Sequence, residues 1–282
     1  MAGWVPYRRN RMQEAEAIFR EALTVARGSD RPDPWAEVRA LVAIASVWSL
    51  HASEEDALAM GREALEIAER SAQPFTTAIA HQAVAASLRR LLRLDEALEH
   101  AEPAVRGLRE LGARWELASA LGERGTIQRL SGRTEEAEAD LREAVVLCRD
   151  LRERSLVSWT IAELARTLVA RGDPAAARAI LDDPLARTAE AEPGSATALL
   201  VAESAVALSE GDREAALAKA VAAIASEDGE PRLPNPYAAQ VWWTGSLFGP
   251  GEAGGDAAVE DARGTLVRNG WHQSLREPEL VP

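Results

Sequence analysis

Small and apolar residues recur along this chain at i, i+4 and i+7, a spacing that lies on one face of an α-helix. The sets are Ala15-Phe19-Ala22, Ala57-Gly61-Ala64, Ala97-Ala101-Ala104, Ala137-Leu141-Ala144, Ala177-Leu181-Pro184 and Ala216-Ala220-Ala223. Their leading alanines stand 42, 40, 40, 40 and 39 residues apart. A period of that size predicts one supersecondary unit repeated in tandem, here a helix, a short turn and a second helix that carries the stripe. Alanine in the stripe lets the neighbouring helix approach closely. Gly132, Gly172 and Gly211 each fall five residues before a leading alanine, and Ser53, Asp95, Thr134, Asp173 and Asp212 are expected to cap the second helices. Breakers separate the units at Gly28 through Pro34, Gln73-Pro74, Gly112, Glu192-Pro193-Gly194 and Pro231 through Pro236. No segment alternates apolar and polar residues long enough to predict a strand. The pattern predicts an all-α chain, a right-handed superhelical solenoid of about six to seven antiparallel helix pairs with one continuous core.

Residues 1–282 read as a single domain with irregular ends. Residues 1–30 hold an incomplete first unit, either an unfinished cap or a piece of something longer. Residues 227–282 form a divergent C-terminal capping unit: Tyr237 to Phe248 and Asp256 to Arg268 are expected as helices, joined by a flexible glycine-rich loop over 249–255.

These features resemble the tetratricopeptide (TPR) family. The resemblance rests on the spacing of the second helices, cleanest in Ala15-Phe19-Ala22, on the turn glycines Gly132, Gly172 and Gly211, and on Leu121-Gly122 with Gly125 in a first helix, where other units place Ala45, Ala85 and Ala165. The period exceeds the family's usual length of about 34 residues, so the helices are expected to be longer, as in extended variants. Such repeats are similar to the helical C-terminal regions of bacterial transcriptional activators and cyclase-like regulators. The resemblance implies a signalling or assembly role, with first helices lining a concave groove.

Composition narrows the partners. Of the 282 residues, 45 are acidic and 32 basic, leaving a net charge of −13. That balance opposes contacts to phosphate, so no direct nucleic-acid partner is expected. Cys148 is the single cysteine and can neither close an internal disulfide nor build a multi-thiolate metal centre, which fits a reducing cytoplasm. The longest apolar run, Leu41 to Leu50, is half a membrane span, so no membrane association is expected.

Gly249-Pro250-Gly251-Glu252-Ala253-Gly254 matches the spacing of a dinucleotide-binding loop, but a predicted helix precedes it and Asp256, Glu260 and Asp261 follow it, which is the wrong setting for a phosphate. His51, His81, His100 and His272 have no partner at metal-ligand spacing, although His81 and His100, on the two helices of one unit, can face each other. No metal or cofactor is expected. The first helices hold more. Glu123, Glu163 and Glu203 are spaced by 40, as are Arg89 and Arg129, and Arg166 follows Glu163 by three positions. Residues one period apart should occupy equivalent, adjacent places on the concave face. One reading pairs each glutamate with an arginine of its own or the next unit, fixing helix register without a ligand. In the other, Arg89, Arg129 and Arg166 clamp an anion, Glu123, Glu163 and Glu203 accept a cationic or amide group, Trp159 and Trp243 form apolar walls and Gln82 adds a polar contact. That describes a protein or peptide partner, or a small ligand. The alternative is an enzyme enclosed by the solenoid, with Glu163 or Glu123 as general acid or base whose pKa its neighbours raise. Self-association into a homodimer through the uncapped N-terminal face is a further expectation.

Overall fold

A computed structural model of the chain describes residues 3, 11–28, 33–152, 155–184, 195–226 and 234–281. They form α1 (Met12–Gly28), α2 (Pro34–His51), α3 (Glu54–Arg70), α4 (Pro74–Arg90), α5 (Leu94–Glu110), α6 (Arg114–Leu130), α7 (Thr134–Leu151), α8 (Ser155–Ala170), α9 (Pro174–Leu181), α10 (Ser195–Ser209), α11 (Arg213–Ser226), α12 (Pro234–Phe248), α13 (Asp256–Arg268) and α14 (His272–Arg276), with 3-10 turns at Pro250–Ala253 and Glu277–Leu280. No strand occurs among the described residues. From α2 onward the helices pair as α2/α3, α4/α5, α6/α7, α8/α9, α10/α11 and α12/α13, and the first helices α2, α4, α6, α8 and α10 pack side by side. The architecture is an all-α solenoid.

The forty-residue period has a simple origin. Each of α3, α4, α5 and α6 is 17 residues long, and three residues separate each from the next, so every hairpin step takes twenty. From α3 to α9 the turns close through a left-handed residue: Ala72, Leu92, Gly112, Gly132, Arg152 and Gly172 all have positive φ and stand 20 apart, and Gly211 follows between α10 and α11. The amide after that residue reaches back to the helix, as Arg93 N to Leu88 O at 2.9 Å and Arg133 N to Gln128 O at 2.8 Å, capping otherwise orphaned carbonyls.

The alanine stripe is the packing surface. All six leading alanines are buried, as are Gly61, Ala64, Ala101, Ala104, Leu141, Ala144, Ala220 and Ala223. Ala22 and Pro184 depart from the pattern and are exposed. Pro184 lies beyond α9, which spans only eight residues and ends at Leu181; in α1 the buried position is Ala26 instead. Among the expected caps, Ser53, Asp173 and Asp212 accept from the amides of Asp56, Ala176 and Ala215. Asp95 and Thr134 instead lie inside their helices, whose N-cap positions are held by Arg93 and Arg133.

Leu121-Gly122 marks a close crossing. A Cβ on Gly122 would lie 2.6 Å from the ring of Trp159, and one on Gly125 would lie 2.7 Å from Leu141. The glycine-rich stretch after α12 forms a compact 3-10 turn: Gly249, Gly254 and Gly255 take positive φ, the Gly255 amide donates to Pro250 O at 2.7 Å, and Ala253 is buried. Of the expected unit at 1–30, residues 3 and 11–28 are described and hold α1, while Glu192-Pro193-Gly194 and residues 231–233 of the last breaker lie outside the described residues.

The last unit also touches the first complete hairpin, α2/α3. The Asn235 side-chain amide donates to Ser49 O at 3.1 Å and Ala52 O at 3.3 Å, the Trp271 indole donates to Ser49 O at 2.8 Å, and the Glu54 amide donates to Asn269 O at 3.0 Å. The chain after α13 therefore lies against α2 and α3 before running on along the first helices.

Candidate functional site

The arginine and glutamate rows of the first helices interlock. Arg89 on α4 pairs bidentately with Glu123 on α6, with Nη2 at 3.3 Å from Oε2. Arg129 on α6 reaches Glu163 on α8 through Nη2 at 2.9 Å and Nε at 3.1 Å. Both pairs are separated by 34 residues, one period less about two helical turns. The same offset recurs between second helices, where Arg109 meets Glu143, and from α7 to the end of α9, where Arg149 meets Asp183 just past the helix. Register pairing between neighbouring units therefore accounts for the rows, the first of the two readings drawn from the spacing. The third rung breaks because Val169 stands where an arginine would be needed, and Glu203 pairs with Lys219 at 2.5 Å.

The inner network does not close on itself. Arg166 donates to Glu163 Oε1 at 3.0 Å, so that two arginines, Arg129 and Arg166, share one glutamate of the repeats. The missing negative charge comes from Glu277, in the 3-10 turn at the C-terminal end. Its carboxylate accepts from Arg129 Nη2 at 3.0 Å and Nη1 at 3.3 Å, and from Arg166. Gln273 on α14 donates to Glu277 Oε1 at 2.8 Å and accepts from Arg89. Arg89, Arg129, Glu123, Glu163 and Glu277 are each at most 7% exposed. Burial works against ionisation of Glu277, but the charges of Arg129 and Arg166 outweigh it and hold its pKa down to about 2. Burial likewise opposes the charged form of Glu163, and Arg129 and Arg166 override it to keep that pKa low.

That corrects the expectation of raised carboxylate pKa values. Arginines sit between the glutamates, and both Glu163 oxygens are engaged, Oε1 by Arg166 and Oε2 by Arg129. A carboxylate so held is a poor proton donor or acceptor, and the geometry does not support Glu163 as general acid or base.

The remaining predicted residues divide. Trp243 is buried with the Arg166 guanidinium 5.7 Å from its ring centre, so it does border the clamp. Its neighbour Trp242 turns the other way and donates to Leu275 O at 3.1 Å. Trp159 packs on Gly122. Gln82 donates to Ser119 Oγ at 2.7 Å. His81 and His100 do face each other, with Nδ1 atoms 2.9 Å apart. No group of three His, Cys, Asp or Glu with metal-holding geometry occurs among the described residues.

Sequence reasoning missed Glu277, Gln273 and Glu54. The first two lie beyond the last repeat, where no periodicity points to them. Glu54 opens α3, is fully buried beside Arg90 at 3.3 Å, and has its pKa raised by burial against the pull of Arg90. Two open clefts of about 510 and 470 Å³ mark the surface. The first is lined by Pro34, Glu37, Glu63, Ile67 and Arg70, the second by Val169, Pro174, Ser209, Leu280 and Val281, and neither includes a residue of the ionic row. Among the described residues no helix is long and apolar enough to cross a membrane.

No protein-family model matches the sequence, and no curated protein matches it either. Solved structures do. A Rap protein complexed with Competence and Sporulation Factor superposes with a TM-score of 0.70 at 15% identity, covering 95% of this chain and 74% of that one. The Rap conjugation gene regulator of plasmid pLS20, in complex with the Phr* peptide, gives 0.67 at 16% identity, covering 100% and 74%. BtubC (BKLC) from P. vanneervenii gives 0.56 at 20% identity, covering 76% and 90%. At these identities the likeness is one of fold, that of a TPR-like helical solenoid.

Proposed function

We propose that the protein is a non-catalytic recognition scaffold, a single solenoid over residues 1–282, that binds an acidic peptide or an extended segment of a partner protein along its first helices. The observation that carries this reading is the seat of Glu277: Arg129 and Arg166 together hold the carboxylate of a short segment that is not part of the repeats. A row able to hold one such side chain offers a charge-assisted site for another. Trp243, itself buried, packs against the Arg166 guanidinium and backs the clamp. Two Rap proteins of the same fold were solved with a peptide or signalling factor bound, which supports a peptide as ligand and bacterial signalling or regulation as setting. Action in the cytoplasm fits that setting and the single cysteine.

Fluorescence anisotropy with a labelled decapeptide library tests this. Peptides carrying Asp or Glu should bind at least tenfold more tightly than the same peptides with Asn or Gln, and Arg129→Gln should erase the preference. Equal binding of acid and amide peptides, or binding unaffected by Arg129→Gln, would sink the reading.

A further inference from the structure

The C-terminal segment runs the length of the ionic row. Trp271 is fixed to Ser49 at the α2 end, with Arg90 of α4 5.9 Å from its ring centre; Gln273 bridges to Arg89 and Glu277 occupies the Arg129–Arg166 clamp. Beyond it, Leu280 and Val281 line the cleft between Val169 and Ser209, at the α8 and α10 end. Its backbone is a five-residue helix and a 3-10 turn, entered through Gly270 at φ +75°. Within it only Glu277 and Pro278 are buried.

Two features separate this segment from an ordinary end cap. A cap covers the apolar end of a solenoid, whereas the deepest contact here is ionic. The scaffold beneath also keeps its own pairs without the segment: Arg89 with Glu123, and Arg129 and Arg166 with Glu163. Removing Glu277 would leave Arg129 and Arg166 sharing the single carboxylate of Glu163, two guanidinium groups against one glutamate, in a chain whose net charge is −13. A carboxylate is what that place takes.

We infer that residues 271–281 are a built-in, displaceable occupant of the groove, with Glu277 standing in for the carboxylate of an acidic peptide that competes for Arg129 and Arg166. This rests on the reading of the row as a peptide site and adds its regulation: the free protein is self-occupied, and a partner binds by exchanging one carboxylate for another.

Hydrogen exchange on the unaltered full-length chain is the first test. The amides of 271–281 should exchange at least tenfold faster than those of α4, α6 and α8, through an opening that leaves those helices protected. Exchange of the segment only together with global unfolding would make it a fixed part of the fold and overturn the inference. The second test is a labelled synthetic peptide of sequence 271–281 added to the full-length protein and to Glu277→Gln. It should bind the variant at least tenfold more tightly, because the resident copy is loosened, and a peptide with Gln at the position of Glu277 should not. Equal binding to both chains would overturn the inference. The outcome stays distinct from that of the preceding section: peptide 271–281 binding the variant while acidic library peptides fail would preserve self-occupancy and remove the external ligand.

Discussion

At the scale of single residues, the His81–His100 pair has the most distinct solution behaviour. A 2.9 Å approach of two Nδ1 atoms holds only when one ring donates and the other accepts, so the pair cannot be doubly protonated and keep this contact. Burial, joined by the charges of His100 and Arg106, lowers the His81 pKa to about 4 from 6.5; burial and Arg62 lower that of His100 against the opposing pull of Glu99, Glu69 and Glu96. Both histidines therefore stay neutral in the fold after the unfolded chain has begun to take up protons. The pair's contribution to stability should fall as pH drops from about 6.5 towards 4 and level off below that, where the paired carboxylates Glu163 and Glu277 begin to lose theirs. Allowing for screening of a half-buried ring, His81 should account for about 1 kcal/mol of loss between pH 7 and pH 5. Urea titrations of the wild type and His81→Gln at both pH values check this: the variant should show the smaller pH dependence, and parallel curves would show that the pair does not titrate as argued.

At the scale of helices and turns, the twenty-residue rhythm carries a cost that the repeat pattern conceals. Gly112, Gly132, Gly172 and Gly211 meet the left-handed requirement without penalty, but Ala72 and Leu92 adopt it at φ +50° and +57°. A side chain there costs roughly 1–2 kcal/mol. Ala72 is exposed, so no packing would be lost on its removal. Ala72→Gly should stabilise the protein by about 1 kcal/mol, offset in part by glycine's greater freedom in the unfolded state; chemical denaturation reads it, and a destabilised variant would refute the strain argument. The turns also show what was legible in the sequence. Alanine at each leading stripe position made the period plain, because only a small residue fits that crossing. The turn residue was readable only where it was glycine, since Ala72 and Leu92 leave no compositional mark. In the same way, a search at intervals of 40 finds rows of like charge, Arg89 with Arg129 and Glu123 with Glu163. It misses their pairing, which crosses between units at an offset of 34. Glu277 was out of reach altogether, for it meets Arg129 across 148 residues and Arg166 across 111.

At the scale of the whole molecule, stability in a linear solenoid is a sum over repeats and their nearest neighbours, so damage to one end stays at that end. Here the chain bends far enough for the last unit to reach the first, and the joint is polar. Asn235 is fully buried, donates to the carbonyls of Ser49 in the last turn of α2 and of Ala52 just beyond it, and accepts from Asn269 at 2.7 Å. Those carbonyls lie at the C-terminal end of a helix, where no intrahelical amide remains to pair with them, and take such donors instead. Asn235→Ala would remove a donor from them and an acceptor from Asn269, for a loss of about 1–3 kcal/mol. A contact that closes the array makes that loss non-local. Hydrogen exchange measured by mass spectrometry should therefore show faster exchange around residues 49–57 as well as in α12, more than 180 positions apart, while α6 and α7 remain as protected as in the wild type. Faster exchange confined to α12 would mean that the two ends merely lie together without sharing stability. Matched acceleration on both sides of the joint would place the C-terminal segment between two coupled ends, so that displacing it from the arginine row would be felt at α2.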